Sequence, residues 1–275
     1  MSSTAQTAIG PERKAVIVGG AGGIGFAFAR LLYASGATVA LLDLDAQRLE
    51  QAASDLGSVG DGQILMRALD ISDPEAVQAA RDAITAQIGP PDLLVNAAGL
   101  LIRGVPVAEI PHEAWRRVLD VNLLGVVNAV RSFLPDLKQA EGPAHIITVA
   151  SISGFFAGDR RIGAYATSKF AVVGYSEALA EELTGSNVTI TLVAPGQVAT
   201  DFYRNSAPAT QRFGMAGRMT ETPEDIRNGM DPARVASLAL DAASRGQLYA
   251  MTHADLRPLV EARQARVLSG FEGRS

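Results

Sequence analysis

Val18-Gly19-Gly20-Ala21-Gly22-Gly23-Ile24-Gly25 decides how this chain folds. Before it runs a short apolar stretch, residues 15–18 (AVIV), with the pattern of a buried strand. After it, residues 24–35 place Ile24, Phe28, Leu31 and Leu32 on one helical face. Glycines at the joint permit positive φ angles and let a ligand approach the backbone closely. The helix that follows turns its unpaired N–H groups and partial positive charge toward the same point. Strand, glycine turn and helix in that order form a pyrophosphate site. Gly19, Gly22, Gly23, Ile24 and Gly25 are its candidate residues.

Outward from this turn the pattern repeats. Residues 38–42 (TVALL), 63–69, 92–95 (DLLV), 145–150 (HIITVA), 188–193 (VTITLV) and 247–251 read as strands. Helical segments lie between them, at 46–56, near 112–119 and 121–137, at 164–183 and near 232–243. Another begins at Ser72-Asp73-Pro74-Glu75, where a capping side chain precedes a first-turn proline. Short strands alternating with helices imply an α/β fold of Rossmann type. The expected architecture is one doubly wound parallel sheet of about seven strands, with helices on both faces. Residues 12–252 form a single dinucleotide-binding catalytic domain. Residues 201–230 are polar and weakly periodic and read as a substrate lid. Residues 253–275 form a C-terminal tail, with a polar helix over 255–268.

Composition excludes several chemistries. There is no cysteine, so disulfides, thiolate catalysis and Cys-ligated metals are absent. The histidines, His112, His145 and His253, are too far apart for a spaced metal motif, and no metal is expected. A net charge of -5 without a basic cluster argues against nucleic acid. The first residues lack a signal-peptide pattern, and apolar runs such as 15–18 and 145–150 are too short to span a bilayer. A cytoplasmic protein with no membrane partner is expected.

Asp43 follows the second strand, beside Leu44. A carboxylate there accepts hydrogen bonds from ribose hydroxyls and repels a 2′-phosphate. No Lys or Arg lies in the turn, so NAD rather than NADP is the expected cofactor. A helix-capping role competes for Asp43, with Asp45 as the other cap candidate. Further on, Tyr165 and Lys169 stand one helical turn apart on one face. An ammonium there favours the phenolate, and so does a positive nicotinamide. Ser151 follows the fifth strand at its carboxyl end, where open sheets bind ligands.

Together these residues resemble the short-chain dehydrogenase/reductase family, from about Lys14 to Met251. The glycine turn is similar to its T-G-x-x-x-G-x-G motif, with Val18 in place of the threonine. Asn96-Ala97-Ala98-Gly99 is similar to its N-A-G signature, and Asp70-Ile71 to the pair placed against adenine. Asn122 falls at the catalytic asparagine. Ser151, with Gly154, matches S-x-x-G, and Tyr165 and Lys169 fit Y-x-x-x-K. Pro195-Gly196-Gln197-Val198-Ala199-Thr200 resembles the segment beside the nicotinamide.

The resemblance implies an NAD-dependent alcohol dehydrogenase or carbonyl reductase. Tyr165 would transfer the proton, Lys169 lower its pKa and bind the ribose, and Ser151 orient the substrate oxygen. Asn122 would hold the solvent path of Lys169. By analogy Leu101, Ile102, Phe155, Phe156, Phe202 and Tyr203 wall a site for an apolar, medium-sized to bulky ketone or secondary alcohol. Phe213, Met215 and Met219 would add lid contacts. Asp159-Arg160-Arg161 reads as a solvated loop tip or as a contact to an acidic substrate or neighbouring subunit. The family forms homodimers or homotetramers. A nucleotide-binding sensor on the same fold is the alternative, since fold alone does not set function.

Overall fold

The computed structural model describes residues 8–60, 62–158, 161–213 and 224–271. Asp159, Arg160, Met215 and Met219 lie outside the described residues.

The first half runs β1 (Lys14–Val18), α1 (Gly23–Ala34), β2 (Thr38–Asp43), α2 (Ala46–Leu56), β3 (Ile64–Ala68), α3 (Pro74–Ile88) and β4 (Leu93–Asn96). The second half runs α4 (His112–Leu119), α5 (Gly125–Gln139), β5 (Ala144–Val149), α6 (Gly163–Glu182), β6 (Val188–Ala194), α7 (Phe202–Arg212), α8 (Glu224–Arg227), α9 (Pro232–Ser244), β7 (Tyr249–Met251) and α10 (Arg257–Leu268). The strands form one seven-stranded sheet in the order β3-β2-β1-β4-β5-β6-β7. Every pairing is parallel.

Alternation along the strands supplies two cores. Ile17, Val39, Leu41, Val95 and Val193 face one side and pack on α1, α2 and α9 through Phe28, Leu32, Leu49 and Leu240. Val16, Val18, Leu42, Leu94 and Leu192 face the other side and meet α3, α5 and α6 through Ile84, Phe133 and Val172. Both faces are covered, as a parallel sheet requires.

Helix starts follow from single side chains. Asp73 accepts from the N–H groups of Glu75 and Ala76, with Pro74 next in line. Asp45 does the same for Gln47 and Arg48 at the start of α2. Asp45 is therefore the cap, and Asp43 is left for the cleft.

Three expectations change. The segments near 112–119 and 121–137 form one helix from His112 to Gln139, joined by a π turn at Asp120–Leu124. That helix is long and apolar enough to cross a membrane by composition, but half of its most apolar window is buried in the protein, as in a core helix. The span 201–230 is not a bare loop, because α7 and α8 occupy part of it. Its helical face is short and interrupted by Pro208, which hid the periodicity. The tail helix begins at Arg257, after a single 3₁₀ turn at Ala254–Leu256.

Candidate active site

Chain winding reverses between β1 and β4, which are neighbours although α1 through α3 separate them in sequence. Loops leaving such strands diverge and open a crevice at their carboxyl ends. A cleft of about 650 Å³ lies there.

Its floor is the glycine turn. The Gly19 and Gly20 N–H groups donate to the Leu42 carbonyl at 2.7 and 3.2 Å, tying the turn to β2. Gly19 has φ +78°, and a Cβ on it would lie 2.6 Å from the backbone nitrogen of Ala98. A Cβ on Gly25 would lie 2.1 Å from the Gly19 carbonyl oxygen, so α1 packs directly on the turn. Gly22, Gly23, Ile24, Ala97, Ala98 and Gly99 line the cleft around it. Gly25 and Asn96 do not. Gly25 lies behind the turn, and buried Asn96 braces β4 through Thr148 Oγ1 at 3.4 Å. Their expected cofactor contact becomes a supporting one.

At the end of β2, Asp43 accepts from the Ala21 N–H at 3.1 Å and the Leu44 N–H at 2.8 Å. Leu44 lines the cleft beside it. Asp70 and Ile71 line the same end. Burial pushes the Asp70 carboxyl up, but hydrogen bonds from Ser72 and Arg117 outweigh this and hold it below the usual carboxylate range. Arg117 reaches it from α4 at 2.9 Å. Sequence reading missed Arg117, and it missed Arg48. From α2, Arg48 Nη2 donates to the Ala21 carbonyl at 3.5 Å, directly over Gly22. With its carboxamide oxygen turned toward α2, Asn205 accepts from Arg48 at 2.9 and 3.2 Å. No local pattern announces either arginine, since each reaches the cleft from a helix whose own periodicity says nothing of a distant partner.

At the far end, Tyr165 and Lys169 line the cleft from the first turns of α6. The Lys169 Nζ lies 5.6 Å from the Tyr165 ring centroid and donates to the Val149 carbonyl at 2.8 Å. Burial pushes the Lys169 ammonium down to about 8. Burial pushes the Tyr165 phenol up to about 12; a hydrogen bond with Ser151 opposes this, and Tyr203 adds to it. Ser151 Oγ also accepts from the Ser153 N–H at 3.1 Å. The sequence expectation was an acidified phenol. In the protein alone, desolvation wins, and the phenol keeps its proton at neutral pH.

Asn122 is buried in the π turn and does not line the cleft. Its Oδ1 accepts from the Leu100 N–H at 2.7 Å, and its Nδ2 donates to the Leu100 carbonyl and to Ser168 Oγ, each at 2.9 Å. Ser168 Oγ in turn donates to the Tyr165 carbonyl at 2.7 Å. The side chain thus ties the β4 loop to α6. Its side-chain bonds go to Leu100 and Ser168.

Pro195, Gly196, Val198 and Thr200 line the wall beyond β6. His253, read earlier as tail, clamps this loop. Its Nδ1 accepts from the Gly196 N–H and its Nε2 donates to the Gln197 carbonyl, both at 3.0 Å.

The apolar wall holds Leu101, Ile162, Phe202 and Tyr203, with the Phe202 ring 6.0 Å from that of Tyr165. Phe156 also lines the cleft. Ile102 and Phe155 do not. The Leu101 N–H donates to buried Ser206 Oγ at 3.1 Å, and the next side chain points away into the core with Val105, Ala114 and Val118. Phe155 leaves the 3₁₀ turn Ile152–Gly154 outward and meets Tyr249 edge-on at 5.8 Å. That turn presses on α6, since a Cβ on Gly154 would lie 2.8 Å from the Lys169 carbonyl oxygen. Among the described residues no cluster of His, Asp or Glu suits a metal ion.

The geometry defines a dinucleotide cleft with a protonated phenol at its end, the arrangement of a nicotinamide-dependent oxidoreductase. The glycine backbone at the floor of the cleft, with the Arg48 guanidinium above Gly22, fits a pyrophosphate, and Asp43 fits a ribose. The family model for short chain dehydrogenases matches residues 13–211, and the chain belongs to this family. A 1-deoxy-11-beta-hydroxypentalenate dehydrogenase of Streptomyces exfoliatus is 33% identical over 89% of this chain and 84% of its own. A C alpha-dehydrogenase of Sphingobium is 28% identical over 91% and 83%. A short chain dehydrogenase/reductase of Burkholderia phymatum, solved in complex with NAD, superimposes with a TM-score of 0.85 at 27% identity, covering 98% of each chain. The protein is an oxidoreductase that moves a hydride between a nicotinamide cofactor and an alcohol or ketone.

Proposed function

We propose that the cofactor is NAD and that the substrate is an apolar, medium-sized to bulky secondary alcohol or its ketone. The observation that carries this is the Tyr165 phenol, beside Ser151 and Lys169, in the cleft that the glycine turn and an apolar wall also line. A sensor has no use for that trio, and the dehydrogenase names of the relatives favour the enzyme.

Bound NAD supplies or accepts the hydride. The chain does the rest. Ser151 orients the substrate oxygen. Tyr165 holds the proton that the oxygen gains in reduction and takes it back in oxidation. Lys169 places a cation under the phenol and toward the ribose. Gly19, Gly22, Gly23 and Ile24 bind the pyrophosphate end, with Asp70, Ile71 and the loop from Ala97 to Gly99 against the base and sugars. Pro195, Gly196, Val198 and Thr200 hold the nicotinamide side, steadied by His253. Asn122 positions α6. Homodimers or homotetramers are the proposed assembly.

A panel of secondary alcohols and ketones, followed by NADH absorbance with both cofactors, tests this reading. Turnover with NAD on bulky apolar substrates is expected. No turnover with any of them in either direction sinks it.

NAD preference rests on Asp43. A half-buried carboxylate beside a 2′-phosphate costs on the order of 1–2 kcal/mol, which is about 5–30-fold in affinity. Asp43→Ser is therefore expected to raise kcat/KM with NADP by about tenfold. Arg48 is the nearby cation that would benefit, so adding Arg48→Ala removes the gain. A wild type that already prefers NADP contradicts the argument.

A further inference from the structure

Five basic side chains among the described residues line the cleft: Arg48, Arg103, Arg117, Lys169 and Arg204. Four have protein acceptors. Arg117 pairs with Asp70 and Arg204 with Asp201, at 2.9 and 2.7 Å. Arg48 donates to Asn205 and the Ala21 carbonyl, and Lys169 to the Val149 carbonyl. Arg103 alone has no carboxylate or carbonyl partner among the described residues.

Its position gives that cation a use. Arg103 is half-buried, and its guanidinium carbon lies 5.3 Å from the Tyr203 ring centroid. Stacking on an aromatic face fixes the guanidinium plane and leaves its N–H edges free for a planar anion. Tyr203 packs in the same apolar cluster as Tyr165, Phe202, Leu101 and Ile162. Tyr203 thus shares one apolar cluster with the proton-bearing phenol and carries the cation on its ring. The acidic residues that line the cleft, Asp43, Asp45 and Asp70, all lie at the opposite end with the glycine turn. No lining carboxylate among the described residues opposes an anion near Arg103.

We propose that the substrate carries a carboxylate, set apart from its reacting carbon by an apolar body, and that Arg103 binds this carboxylate as a forked pair. The proposal rests on the dehydrogenase reading and narrows it from apolar alcohols or ketones to apolar hydroxy or keto acids. A guanidinium–carboxylate pair is planar and bidentate, so lysine substitutes poorly.

A homologous series of ω-benzoyl alkanoates, each assayed against its own methyl ester with NADH, tests it. The wild type is expected to favour the acid by ~10–100-fold in kcat/KM at the best chain length, mainly through KM. Arg103→Ala brings the acid-to-ester ratio to about one, and Arg103→Lys recovers it only in part. NADH binding, read by fluorescence, verifies that both variants fold. A structural role for Arg103 would lower acid and ester together and keep the ratio, which overturns the proposal. Equal use of acid and ester by the wild type overturns it too, while leaving the dehydrogenase reading in place. Turnover of neither series overturns both.

Discussion

Tyr165→Phe is expected to lower kcat by ~10²–10⁴-fold while cofactor affinity stays within about threefold, since a positioned acid/base contributes about that much. The substitution removes one oxygen. The ring keeps its place against Phe202 and Tyr203, so packing is preserved. What vanishes is the group that bonds with Ser151 and holds a proton at neutral pH. Steady-state rates in both directions, with cofactor titration by fluorescence, check it. A variant that keeps full activity would mean that another group moves the proton.

Lys169→Met is the second large effect. Methionine is near in length and carries no charge, so the Val149 carbonyl loses its donor and the phenol loses its cation. A drop of ~10²–10⁴-fold in kcat/KM is expected. The pH profile separates this from mere misfolding. Burial places the Lys169 titration at about 8 and that of Tyr165 at about 12 in the protein alone. Reduction uses the protonated phenol and the ammonium together. Below about 8 both forms are present; as pH rises through about 8 the ammonium is lost first. The wild-type kcat/KM for NADH in reduction therefore falls above about pH 8, because this ratio reports the free protein. In Lys169→Met that limb is absent and the rate is low throughout. An unchanged limb in the variant would assign it to another group.

Much of this arrangement was legible in the residues. The glycine turn, the Asp73-Pro74 helix start and the strand alternation carry their own geometry, and the sheet followed from them. Tyr165, Lys169 and Ser151 were singled out by one helical turn, one strand end and the family resemblance together, and all three line the cleft. What escaped reading came from long-range contact. Arg48, Arg117 and Arg103 reach the cleft from helices or an irregular loop, where periodicity says nothing about a distant partner. His253 was hidden in an apparent tail, yet it bonds a loop 56 residues away. Ile102 and Phe155 were misassigned for the reverse reason. In an irregular loop each neighbouring side chain turns to a different side, so Leu101 and Phe156 took the cleft. The expected fall in the Tyr165 pKa also failed in the protein alone. Proximity to an ammonium was visible in the sequence, but the depth of burial was not.

Desolvation holds the phenol protonated in the protein alone, and the expected effect of a positive ring beside it is open to direct observation. Ultraviolet difference titration of tyrosine ionisation, with and without NAD⁺, measures it. One phenol is expected to titrate at least ~2 units lower when NAD⁺ is bound, because a nearby cation favours the phenolate, and this step should be missing in Tyr165→Phe. Identical curves with and without NAD⁺, or a step that survives in Tyr165→Phe, would contradict the assignment of proton transfer to Tyr165.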